Sequence, residues 1–416
     1  MVPAFADAAS VSRPLYVVAA EDLAGFLAGQ SAAVRGWLQA SDFEAALGDL
    51  RLIPGDAGVA AAVIGFGTAE ARARQRFALA KAVGLPGGAW HPVGDLTQSQ
   101  RDELGLGWLL AQYRFDRYRK AKAAGPARLE LPEGCDGARL LAMAAGEYLT
   151  RDLINTPAQD MGPDQLEAAF VGLAERFGAR AKVVKGDDLL KQNFPMIHAV
   201  GRASPREPRL LEMHWGSAGP SLTLVGKGVC FDTGGLNIKT AGMLLMKKDM
   251  GGAATVMGLA QMIMQLRLPI RLRVIVAAVE NVIAGNALKP KDILTSRKGL
   301  TVEVNDTDAE GRLVLGDALA LATETPTDVL ISMATLTGAA RTALGPDLAP
   351  YYTDDAAMAA ALESGAAAAF DPVWRMPFHT PYEPVIEPGI ADLDNAPGWG
   401  FAGSITAALF LKRFAG

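Results

Sequence analysis

Cysteine and histidine are scarce in this chain. Two cysteines, Cys135 and Cys230, and four histidines, His91, His198, His214 and His379, occur among 416 residues. Two thiols exclude a disulfide scaffold and a Cys-rich zinc module, and they fit a reducing compartment. The histidines are too widely spaced for an H-E-x-x-H helix. A hydrolase built on this chain would not lean on histidine. No uncharged apolar run reaches the length of a membrane span. The N-terminal stretch lacks a basic region followed by an apolar core. These absences predict a cytoplasmic protein with no membrane partner. The net charge of −5 gives no support for nucleic acid or anionic lipid as the main partner.

What is present is an ordinary globular composition, 50% hydrophobic and 20% charged. The length suggests two or three domains. The pattern predicts an α/β protein, with a smaller N-terminal α/β domain over residues 1–125 and a linker at 126–136. A larger α/β/α domain with a central, mostly parallel sheet follows over 137–416. In the first part, strands are expected at 15–19 and 58–65, and helices at 21–40, 69–83 and 101–118. Glycines and prolines between 120 and 134 mark the boundary. Beyond it, helices are expected at 137–153, 252–266, 313–323 and 404–414. Strands are expected at 181–184, 196–201, 209–215, 221–225, 272–279 and 329–334. Sites in such sheets form where loops leave the carboxyl ends of the strands.

Two segments carry the chemistry. Residues 225–252 read VGKGVCFDTGGLNIKTAGMLLMKKDMGG, and residues 305–312 read NDTDAEGR. The first is not a phosphate loop, because Lys227 is followed by glycine and no glycine stands at 221. Its glycines allow tight turns and close backbone approach around acidic groups. Asp308 and Glu310 are two apart, so an extended segment points both the same way. Taken singly, each Asp or Lys reads as a solvated charge or a helix cap. Taken together, Asp232, Asp249, Asp308 and Glu310 would be prohibitive in a dry pocket unless cations balance them. Two divalent metals are a common solution in aminopeptidases and phosphatases. Lys227 suits either an ammonium partner of a carboxylate or a neutral amine ligand. Lys239 and Arg312 are natural stabilisers of an oxyanion.

At these residues the chain resembles the leucyl aminopeptidase family, also called M17 or the cytosol aminopeptidases. That family's NTDAEGR motif matches Asp306–Arg312, with Asp306 replacing its Asn. Its GKG-x-x-FD-[ST]-GG-x-x-IK motif matches Gly226–Lys239. Further matches are RDLINTPA from Arg151, MKKDMGGAA from Met246 and ATLTGA from Ala334. The resemblance implies a metalloaminopeptidase that removes apolar N-terminal residues such as Leu from peptides. It implies two metals, Zn or Mn, held by Lys227, Asp232, Asp249, Asp308 and Glu310, with Asp232 and Glu310 bridging and Lys227 a neutral amine. It implies Lys239 and Arg312 as the catalytic pair, with bicarbonate at Arg312. Met246, Thr335, Leu336 and Ala339 are then the pocket for the first side chain, and the assembly is a homohexamer.

Two departures from the family pattern stand out. The loop between Lys239 and Asp249 is one residue shorter than usual, and the chain stops at Gly416 where relatives continue with a final strand and helix. They motivate an alternative expectation, a catalytically impaired structural or peptide-binding oligomer. A two-metal phosphatase also fits the bare ligand count. GWGFAG at 398–403 reads as a tight loop near the active site rather than a nucleotide motif. Cys230 reads as a buried core thiol.

Overall fold

The computed structural model describes residues 2–7, 11–56, 58–119 and 127–415. Residues 120–126, where the linker signal begins, lie outside the described residues. The chain divides into two compact units. One comprises residues 1–148 with 368–370, and the other residues 149–367 with 371–416. The boundary falls inside the helix Gly137–Asn155.

The first unit is built on a five-stranded sheet of β1 (Ser12–Ala19), β2 (Leu50–Gly55), β3 (Gly58–Gly67), β4 (Gly88–Val93) and β5 (Ala127–Leu129). The order is β2-β3-β1-β4-β5, parallel except for the edge strand β2. Alternate residues of β1 enter different cores. Leu15 and Val17 join one, and Val18 joins the other. The helix expected at 21–40 is two helices, Leu23–Ala28 and Ala32–Ala40. Ser31 breaks it by accepting the N–H of Val34 as an N-cap. The helix expected at 69–83 stops at Ala73, because Phe77 turns left-handed (φ 56°) ahead of a 3₁₀ turn. The helix expected at 101–118 runs Gln98–Gln112, and Tyr113 is extended.

The second unit holds β6 (Arg180–Lys185), β7 (Arg209–Trp215), β8 (Ser221–Asp232), β9 (Arg271–Asn281), β10 (Ile293–Thr295), β11 (Thr301–Glu303), β12 (Val329–Met333), β13 (Ala349–Tyr352), β14 (Val373–Met376) and β15 (Leu393–Asp394). Its main sheet has the order β12-β8-β9-β7-β6, with only β7 reversed. The expected mostly parallel central sheet is therefore present. Along β9, Val274, Val276 and Ala278 face one core, while Ile275, Ala277 and Val279 face the other. Helices cover both faces, so the strand reads as a continuous apolar run. Small sheets of β10-β11-β15 and β13-β14 complete the unit. Among the described residues no helix is long and apolar enough to cross a membrane.

Residues 196–201, expected as a strand, form the helix Pro195–Gly201. Pro195 starts it, and the buried carboxylate of Asp317 accepts the N–H groups of Met196 (2.8 Å) and Ile197 (3.3 Å). The apolar run is buried in either conformation, so its pattern carried no helical signal. Residues 356–368 form an Ala-rich helix that buries only Ala359.

Candidate metal centre

The site gathers at the carboxyl end of β8 and the loops around it. Lys227 lies in mid-strand, paired in register with Ala277, and Asp232 ends the strand opposite Asn281. Five residues separate them, an odd step that puts side chains on opposite faces of a regular strand. The register shift between Val229 and Phe231 inserts an extra residue. Both side chains therefore reach the same acidic cluster. Cys230, at the bulge, turns into the core, and burial pushes its thiol well above the ordinary range.

Asp249 lies near the end of a 3₁₀ segment, Met243–Met250, that runs into the helix Gly251–Gln265. Glu310 opens the helix Glu310–Thr323, and Asp308 precedes it. Lys227 Nζ donates to Asp249 Oδ2 at 2.7 Å and lies 3.1 Å from Glu310 Oε1. It also donates to the carbonyl of Thr335 (3.0 Å). Lys239 Nζ lies 2.6 Å from Asp232 Oδ2 and pairs with Asp308. The 240–248 loop thus delivers both flanking residues to the cluster.

Carboxylate oxygens of Asp232, Asp308 and Glu310 all lie within 4.8 Å of one another. Two lysines face four carboxylates, so the cluster remains net negative. Glu310 is 1% exposed, and among the described residues neither of its oxygens has a hydrogen bond of proper geometry. A buried carboxylate without donors is costly unless a cation completes it. The donor set, hard oxygens with one amine, fits divalent metals such as zinc or manganese.

Burial pushes Glu310 upward, and Lys227 only partly opposes this. Asp308 is raised for the same reason, against Lys239. Burial works against the Lys227 ammonium, but Glu310, Asp249 and Asp232 outweigh it and raise its pKa. Lys239 is likewise raised to about 12: burial lowers it, and Asp232 and Asp308 more than compensate. The carboxylates around them thus favour the charged form of both lysines while no metal competes for the amine. Lys227 occupies the position of a cation among carboxylates. Arg312 is buried, which lowers it to about 10 against the pull of Glu310, Asp394 and Asp306. It donates to the carbonyl of Asn395, while its Nε has no partner among the described residues.

Of the expected pocket residues, Thr335 touches the cluster and the others sit in different settings. Thr335 Oγ1 donates to Asp249 Oδ1 at 2.8 Å, so it orients a carboxylate. Leu336 packs on the core beside β8. Ala339 faces Gly403, the first residue of the helix after the 398–403 loop. Met246 is half-buried in the segment that carries Asp249.

Sequence reasoning missed a set of amides. Asn281 Nδ2 donates to Asp232 Oδ1 (2.8 Å) and to the carbonyl of Thr307 (2.9 Å). Asn237 Oδ1 accepts the N–H of Thr307 (3.0 Å), and Thr307 Oγ1 donates to the carbonyl of Gly234 (2.6 Å). These bonds stitch the two motif segments together. Asn237 and Thr307 stand inside the motifs, but nothing in their spacing announces the pairing.

Comparison with known proteins gives the family. Residues 148–416 match the model of the cytosol aminopeptidase family catalytic domain, and residues 13–132 match the M17 aminopeptidase N-terminal domain. A probable cytosol aminopeptidase of Shewanella oneidensis is 39% identical over 326 residues, 76% of this chain and 64% of that protein. One of Thermosynechococcus vestitus is 42% identical over 274 residues, 65% of this chain and 55% of that protein. The matched segments thus span less than two thirds of these relatives. The crystal structure of the Coxiella burnetii cytosol aminopeptidase superposes with a TM-score of 0.92 at 40% identity, over 99% of this chain and 90% of that one. The bottromycin maturation enzyme BotP in complex with Mn gives 0.87 at 30% identity, over 97% and 90%. With matched N-terminal and catalytic domains, this chain belongs to the cytosol aminopeptidase family.

Proposed function

We propose that the protein is a metal-dependent aminopeptidase that hydrolyses the N-terminal bond of peptides, with apolar first residues such as Leu preferred. The observation that carries this reading is Glu310, buried beside Asp232 and Asp308 with the Lys227 ion pair but no hydrogen bond of proper geometry among the described residues. Asp232, Asp249, Asp308 and Glu310 would hold two divalent ions, zinc or manganese, with Lys227 joining them as a neutral amine once a metal displaces its proton. When bound, such ions supply Lewis acidity to a carbonyl oxygen and lower the pKa of water. Naming of the relatives as aminopeptidases, and the manganese in the BotP structure, support this choice over a phosphatase.

The chain's own residues have separable tasks. Lys239 stays protonated and is the least buried cation of the cluster, with 12% of its side chain exposed. Its ammonium is available to a developing oxyanion. Arg312, with a planar fork and an unpartnered Nε, suits a small planar oxyanion such as bicarbonate. Met246, Thr335, Leu336 and Ala339 would surround the first side chain of the substrate. We place the protein in the cytoplasm as a homohexamer, which light scattering on the purified chain tests directly.

The activity test is release of p-nitroaniline from leucine p-nitroanilide. Turnover should appear with Mn²⁺ or Zn²⁺, vanish on chelation and return on reloading. A chain that binds two metals yet releases nothing would sink the reading.

A further inference from the structure

Asn395 is completely buried one residue beyond β15. Its side-chain amide makes four hydrogen bonds, all to the backbone of residues 305–309. Oδ1 accepts the N–H groups of Asn305 (2.8 Å) and Asp306 (3.2 Å). Nδ2 donates to the carbonyls of Asp306 (2.7 Å) and Ala309 (3.2 Å). An amide offers two donors and two lone pairs, so its capacity is filled. The main-chain carbonyl of the same residue accepts Arg312 Nη1. Its own N–H is held by the carbonyl of Glu303 (3.1 Å), which anchors it to β11.

We infer that Asn395 is the positioning residue that sets Asp308 and Arg312 relative to each other. The inference rests on the proposed roles of those two residues. The 305–309 segment is a loop, without a ladder or helix to fix it. Its outward backbone groups are instead bound by side chains, and Asn395 binds four of them. The same residue fixes the guanidinium. Loop and arginine are therefore referenced to one rigid point on the β11–β15 pair, where Glu303 and Asp394 stand in register.

The chemistry requires an amide. Nδ2 points at two carbonyl oxygens, so a carboxylate of the same size would bring like charge against them. Asn395→Asp keeps the volume and both acceptor bonds but removes both donor bonds. It therefore separates positioning from space filling.

The test uses the full chain stripped of metal by chelation. Mn²⁺ binding is measured by calorimetry, and kcat and KM for leucine p-nitroanilide at saturating Mn²⁺. Asn395→Asp should weaken Mn²⁺ binding by roughly 10–100-fold, the usual cost of losing an outer-shell partner. It should also lower kcat by more than about tenfold with KM within about twofold, because Arg312 is displaced along with the loop. Asn395→Ser, with one short hydroxyl, should fall between. Wild-type affinity and kcat in Asn395→Asp would overturn the inference. If Asn395→Asp does not fold, Asn395→Ser is judged alone, with hydrogen exchange at the Asn305 and Asp306 amides. Faster exchange there supports the role, and unchanged exchange overturns it. If the wild type shows no turnover, the aminopeptidase reading fails, while the Mn²⁺ affinities still decide the role of Asn395.

Discussion

A methyl group on Gly311 would sit 2.3 Å from Cε of Lys227 and 2.7 Å from its Nζ. The helix that carries Glu310 therefore lies directly against the lysine stem, and only glycine permits it. Alanine is the better helix former, so Gly311→Ala should not weaken the helix itself. The variant should keep its melting temperature within a few degrees yet lose most of its bound metal, because Lys227 must leave the cluster. Metal analysis after dialysis checks this. Full metal content in a folded Gly311→Ala protein would show that Lys227 has slack.

Lys239 touches two of the carboxylates but is the most accessible cation of the group. Lys239→Ala should lower kcat about 100–1000-fold, the range seen when an oxyanion donor is removed. Bound metal should stay near the wild-type level, since all five proposed ligands remain. Activity that survives the change removes Lys239 from the catalytic pair.

Asp317 offers a pH test away from the metal cluster. Burial pushes it up to about 7, against the pull of the N–H groups of Arg297, Met196 and Ile197. A carboxyl raised above its ordinary 3.8 contributes stability that is full below about pH 4 and lost as pH rises through 7. Asn cannot titrate. Asp317→Asn should cost about 1–3 kcal/mol by mispairing a buried donor. The gap in urea midpoint between wild type and variant should be wider at pH 5 than at pH 8. A gap that is constant with pH would remove Asp317 from the pH dependence.

Neither cysteine should be reactive. Cys230 is fully buried, and burial with the neighbouring Asp102 holds Cys135 up at about 12. A disulfide reagent at pH 8 should label Cys230 only after denaturation and the part-exposed Cys135 slowly, and activity should be indifferent to both. Rapid labelling coupled to inactivation would point to a thiol role.

The motif residues were legible because their chemistry is written in type and spacing. Lys227, Asp232, Lys239, Asp249, Asp308 and Glu310 all converge as the two segments suggest. What holds them was not legible. Asn395 lies 86 to 90 positions from the backbone groups it binds, and an isolated Asn before a Pro reads as a turn. The helix at Pro195–Gly201 has the same dependence: its apolar pattern carries no helical signal, and the carboxylate that caps its start is 121 residues away. The broken helix at 69–83 depends on Phe77 adopting a left-handed backbone, which its residue type does not advertise. Long, amphipathic or motif-bearing elements were readable, and long-range polar clamps were not.

Two glycines, Gly226 and Gly252, constrain how the site can change over time. A Cβ on Gly226 would meet Ala253 Cα at 2.7 Å, and one on Gly252 would meet the Met333 carbonyl at 2.1 Å. Strand β8, the end of β12 and the following helix thus meet main chain to main chain, with no side chain acting as a spacer between them. The cradle's dimensions are consequently set by peptide geometry, which mutation does not alter. The surrounding apolar residues are free to drift in identity while the distances among the charged groups above them stay constant.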